Sequence, residues 1–293
     1  MSIANFVPSV WAADILRALQ TLLVYANPAI INSDYEGDIA SVGDSVRINM
    51  VGDVTVKDYT KGSDIDSPED LTDAQLTLLI DQAKYFNFAV DDIDKRQAQN
   101  GLREEAAMRA AYGLRKALDS FVAAQYTDID TGNFVGSTGS AITGFSSDSK
   151  KAYKQLTVLK QKLDDTDTPE EGRWVVVPTW FEGYLLNDDR VISYGTPENR
   201  TAMKEGFKAG DNGLIGRAAG FDVYRSTLVP NSSSTEYKVI AGHRSAWSKA
   251  EQILETEAYR PEKRFADALK GLHVYGAKVV RPSNLACLVA TDA

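Results

Sequence analysis

From Leu78 and Ile80 to Phe86, Phe88 and Val90 apolar residues fall on alternate positions, with Thr77, Asp81, Asn87 and Asp91 on the other phase. That is the period of a strand with one wet face. After Asp92 the period changes. Leu102, Ala106, Ala110, Gly113, Leu114, Ala117, Leu118 and Phe121 recur at helical spacing, with Arg and Lys between them. The pattern predicts a long strand running into a helix over 93–126, roughly 50 Å long at ~1.5 Å per residue. A second alternating run, 45–59, sets Val46, Ile48, Met50, Val54 and Val56 against Arg47, Asn49, Asp53, Thr55 and Lys57. It reads as the hairpin partner of 76–90, through a polar connection too long for a tight turn. A two-stranded hairpin alone is marginal in water, so its apolar face needs cover elsewhere in the chain or on a neighbour.

The flanking segments read more simply. Behind a Ser9 N-cap, Trp11, Ile15, Leu19 and Leu22 form a helical stripe ending before Asn27 and Pro28. This is either an arm that packs on something else or an ordinary first core helix. The Gly, Ser and Thr-rich residues 127–147 separate two lobes. Beyond them come a helix through Ala152, Leu156, Leu159 and Leu163, a buried strand from Trp174 to Val177 stopped by Pro178, and a short helix. The glycines 206, 210, 213, 216 and 220 punctuate turns, and GFDVYRSTLV and KVIAG are strands. The run from Ser248 is ambiguous between helix and strand, but Leu272 to Val280 is a strand. The fold class is α+β.

Composition removes several functions. The 293 residues, 43% hydrophobic and 25% charged, are globular material. No apolar run reaches the ~20 residues of a bilayer span, and the start lacks a basic leader, so no membrane and a cytosolic origin are expected. The lone Cys287 cannot form an internal disulfide and sits in LACLVA, where an inert core thiol is expected. A net charge of −9 disfavours dedicated nucleic-acid binding. DIDTGN at Asp128 starts like a calcium loop, but Gly132 is one position early and Gly139 stands where the bidentate Glu belongs. GDNGLIGRAAG lacks the Lys and Ser or Thr of a phosphate loop. No metal-ligand cluster or nucleophile elbow is found. The expectation is no catalytic residues, no metal and no cofactor. A carboxylate-dependent soluble hydrolase stays open on the dense carboxylates alone.

The order of parts, with VVVPTWFEGYLLNDD, GRAAGFDVYRSTLVP and the closing block from AEQI through YRP to GLHVYGAKVVRP, resembles the major capsid (coat) protein of tailed bacteriophages, the Hong Kong-type capsid fold, over essentially the whole chain. The resemblance implies an N-terminal arm (1–44), an extended β-hairpin or E-loop (45–92), a P-domain spine helix and linker (93–145), an A-domain (146–247), P-domain strands (248–280) and a closing A-domain segment (281–293). It implies a non-enzymatic virion protein, assembled in the host cytoplasm, that joins copies of itself in hexamers and pentamers into an icosahedral shell around double-stranded DNA, without sequence-specific binding. The absence of a long N-terminal extension implies a separate scaffolding protein, and a portal and a decoration protein complete the partners. Another phage structural protein, of tail or decoration, is the alternative. The expected subunit contacts are Val46, Ile48, Met50, Leu78, Ile80 and Phe86 on the hairpin face. The acidic tip at Asp64, Asp66 and Asp70 is expected to lie over basic residues such as Arg103 and Arg109 of an adjacent spine.

Overall fold

The computed structural model describes residues 24–34, 45–51, 58–59, 61–62, 64, 73–91, 102–148, 150–188, 213–232, 235–263 and 265–292. The expected helix at 11–22 lies outside them. The molecule has two lobes sharing one central core.

The first lobe is a three-stranded antiparallel sheet in the order β10 (Trp247–Tyr259), β11 (Ala266–Val279), β3 (Gln82–Asp91). Its inner face carries Trp247, Tyr275, Ala277, Val279 and the half-buried Phe86, packed on Leu114, Leu118 and Val122 of helix α1 (Leu102–Ala124). Ala111, Leu114, Leu118 and Val122 give α1 a single apolar stripe, while Met108 and Tyr112 point to solvent. The predicted helix is present over 23 residues, roughly 34 Å; its expected first turns, 93–101, fall outside the described residues. Ala110→Pro would remove a hydrogen bond and clash with the preceding turn, at a cost of ~3 kcal/mol or more. The expected result is loss of folded protein, read by circular dichroism of the soluble fraction.

The predicted hairpin is corrected in its pairing. β1 (Ser45–Val51) does pair antiparallel with β2 (Asp73–Leu79), from Ser45 opposite Leu79 to Val51 opposite Asp73. The second half of the expected partner strand, β3, pairs instead with β11, with Phe86 opposite Gly271 and Phe88 opposite Leu269. The alternation keeps one phase through both strands, but different layers cover its two halves. Leu78 and Ile80 face the outer side of the sheet, whereas Phe86 belongs to the inner core. The chain steps between layers at Leu79 and Ile80, crossing β11 at Gly276, where an added Cβ would lie 2.2 Å from the Leu79 carbonyl oxygen.

The second lobe is a seven-stranded mixed sheet in the order β4 (Phe134–Val135), β12 (Leu285–Ala290), β9 (Glu236–His243), β5 (Arg173–Val177), β7 (Phe221–Arg225), β6 (Leu214–Ala218), with β8 (Asn231–Ser232) on β9. Helices α2 (Lys151–Asp164) and α3 (Thr179–Leu186) cover one face through Leu156, Leu159, Leu163, Phe181 and Leu185. The opposite face, with Trp174, Val176, Ile240 and Cys287, joins the core of the first lobe. Every residue of β5 and β12 is buried, which is why β12 and, after its leading Arg173, β5 read as unbroken apolar runs. The ambiguous run from Ser248 is strand, because β11 offers it a long antiparallel partner.

Candidate assembly surface

The hairpin lies on the outer face of the three-stranded sheet. Val46, Ile48, Leu78 and Ile80 are buried with Ala250 and Val274, and Leu76, Leu272 and Val280 close the rim. The expectation that these four residues wait for a neighbouring subunit is therefore corrected. The sheet of their own chain supplies the cover that a bare hairpin lacks. Phe86 is corrected too, since its ring lies over Gly271 on the inner face, where an added Cβ would meet it at 2.5 Å. Met50 sits in β1 opposite Ala74, Asp64 is exposed, and Asp66 and Asp70 lie outside the described residues. Arg103 is the second residue of α1 and Arg109 is exposed on it.

What the alternation left aside is the opposite phase. Leu79 (59% exposed), Tyr85 (78%) and Phe265 (81%) are large apolar side chains in solvent. Leu79 ends β2, Tyr85 projects from β3, and Phe265 precedes β11 at the end of the sheet. Isolated exposed apolar residues are ordinary, but these three sit on the lobe that carries the hairpin. The signal was present in YFNFAV, where Tyr85 breaks the polar phase.

The chemistry considered from sequence resolves into structure. Burial pushes the Cys287 thiol up to about 12, which removes its nucleophilic form at neutral pH. Asp130 Oδ1 accepts the Gly132 N–H at 2.9 Å, and Asn133 Nδ2 donates to the carbonyls of Ser283 and Leu285, so DIDTGN is a turn stitched to the end of the chain. Gly213 and Gly220 have φ of +82° and +87°, the turn geometry expected of that glycine series. Among the described residues no group of three or more His, Cys, Asp or Glu is disposed to hold a metal ion. No described helix is long and apolar enough to cross a membrane. An open cleft of about 400 Å³ is lined by Lys160, Glu170, Glu171, Arg173 and Arg217. Its cations face carboxylates: Lys160 and Glu170 at 3.5 Å, Arg173 and Asp164 at 2.6 Å, Arg217 and Asp222 at 3.5 Å.

Comparison with known proteins matches the architecture. A family model described as phage capsid protein matches residues 74–288. A solved structure from Mycobacterium phage Che8 is 32% identical, with a TM-score of 0.69 over 91% of this chain and 90% of that one. The capsid structure of Cyanophage P-SCSP1u matches at 16% identity and a TM-score of 0.64, covering 87% and 85%. The capsid of Ralstonia phage GP4 matches at 11% identity and 0.66, covering 94% and 90%; at such identities these two speak to the fold alone. A comparison with curated sequences returns no significant match.

Proposed function

The chain belongs to the phage capsid protein family and forms the capsid shell of a virion, and from that premise we propose how the parts divide the work. The hairpin β1–β2 with its tip is the E-loop. The three-stranded sheet with α1 is the P-domain, the seven-stranded sheet with α2 and α3 is the A-domain, and residues 1–44 are the arm. β3 is assigned to the P-domain because its ladder is with β11, which shortens the E-loop from the 45–92 expected. The observation that carries the reading is the joint match of sequence and fold to the Che8 protein over nine-tenths of the chain.

In this reading copies of the chain close into hexamers and pentamers, and these into an icosahedral shell around double-stranded DNA, held without sequence-specific contacts. The family and fold are those of structural proteins, and the function needs no turnover: many modest contacts, repeated with rotation, close the rings. Assembly takes place in the host cytoplasm with a scaffolding protein, a portal and a decoration protein. The contacts use the outward phase of the hairpin and sheet, including Leu79 and Tyr85, because the inward phase is already covered.

The test is negative-stain microscopy of the expressed full chain, alone and with its scaffolding partner. Shells or capsomers support the reading; a persistent monomer under both conditions, or tubes and rings without shells, would sink it. Deleting residues 57–72 is expected to leave both lobes folded while abolishing shells.

A further inference from the structure

Residues Val24–Asp34 form no helix or strand, yet Tyr25, Ala26, Ile30 and Ile31 are completely buried. They fill the joint between the lobes, sharing a core with Leu118 and Val122 of α1 and with Trp174 and Ile240 of the seven-stranded sheet. The Tyr25 ring lies 6.4 Å from Trp247, itself 5.2 Å from Trp174. The strap is fastened at both ends. Near Asn32 it joins β10 through Asn32 N–H to the Trp247 carbonyl (3.0 Å) and Lys249 N–H to the Asn32 carbonyl (2.9 Å). At the other end one carboxylate takes two backbone donors: Val24 N–H to Asp119 Oδ2 at 3.0 Å and Ala26 N–H to Oδ1 at 3.1 Å. Asp119 is 1% exposed.

We infer that Asp119 is a proton-sensitive latch for this strap, so that the joint between the two lobes tightens in mild acid and loosens towards neutral pH. Any opening that lifts Val24 and Ala26 away returns the carboxyl to water. In the closed state burial raises its pKa; the two N–H donors, Arg115 on α1 and Lys249 on β10 oppose that, and the balance lies at about 6 against an ordinary 3.8. The closed state therefore binds the proton more tightly than the open one. Closure is strongest below the ordinary value and weakens as pH rises through about 6. The other groups facing the site are Tyr25 on the strap and Cys287 on β12, both held neutral by burial across this range. Behind Lys249 stand Glu251 and His273.

Hydrogen exchange on the assembled full chain, corrected for the intrinsic pH dependence of exchange, tests the latch. Protection of the peptide containing Val24 and Ala26 is expected to fall about tenfold between pH 5 and pH 7.5, from the shift in affinity for one proton. The β12 peptide serves as the internal control and should not follow it. Asp119→Asn should lose the pH response. Flat protection in the wild type, or a drop shared by β12, overturns the inference whether or not the variant folds. A response that survives Asp119→Asn would also overturn it, assigning the proton to another group.

Discussion

Gly276→Ala is expected to unseat the hairpin while leaving the seven-stranded sheet intact. The new methyl would sit 2.2 Å from the Leu79 carbonyl oxygen and 3.1 Å from the Ile80 Cα, and both obstacles are backbone, so no rotamer change relieves them. The chain must lift where it steps from β2 to β3, which uncovers Val46, Ile48, Leu78 and Ile80 together. Overpacking of this kind typically costs about 1–3 kcal/mol. The functional loss should be larger, because a hairpin set at the wrong angle spoils every repeat of the same contact around a ring. Gly271→Ala makes an informative comparison: its methyl would meet the Phe86 ring at 2.5 Å, the end of a side chain that can swing. We expect Gly271→Ala to assemble with modest destabilisation and Gly276→Ala to yield folded subunits without shells. Urea unfolding and microscopy of both variants decide this, and normal shells from Gly276→Ala would show that the crossing does not set the hairpin.

The same crossing explains how far the sequence could be read. Alternation identified β1, β2 and β3 as strands and assigned their apolar phase. It could not reveal that Leu78 and Phe86, on one phase, are covered by different layers, because coverage depends on β11, about two hundred positions downstream. The inward residues were consequently assigned to a neighbouring subunit, although their own chain covers them. Fully buried β5 and β12 were easier, since strands covered on both faces keep no polar phase. The run from Trp247 to Tyr259 was hard for the opposite reason: its Lys, Glu and Ala suit a helix, and only the ladder with β11 makes it strand.

Asp119 was invisible for a related reason. Within α1 it looks like an ordinary helix acid, and its two donors come from Val24 and Ala26, 95 and 93 positions away. The apolar residues of the strap were also too few and too irregularly spaced to predict an element. Recognition of the family depended less on such details than on the order of elements and the closing block, most of which falls within 74–288.

A second large effect is expected at the ionic cluster on the inner face of the three-stranded sheet. Lys249 Nζ donates to Glu251 Oε1, and His273 Nε2 lies 3.3 Å from Glu251 Oε2. Side-chain exposure is 3% for Lys249, 11% for Glu251 and 1% for His273. Burial alone would raise the Glu251 pKa, but the contacts with His273 and Lys249 outweigh it and hold the group below its ordinary value. Its contribution to stability is therefore present above about 4.5 and lost as pH falls through the depressed value. This is the opposite slope to that of Asp119. Glu251→Leu removes the carboxylate that accepts from Lys249 and lies against His273, and breaking a buried pair from one side typically costs about 3–5 kcal/mol. Replacing Lys249 by Met in the same chain should recover most of that loss, because an apolar pair of similar volume has no desolvation penalty to offset. The measurement is urea unfolding of wild type, both single variants and the double variant at one protein concentration and pH 7. Additive losses in the double variant would show that the two side chains do not act as a pair. A Glu251→Leu loss under about 1 kcal/mol would show that other groups, Asp119 among them, compensate the lysine.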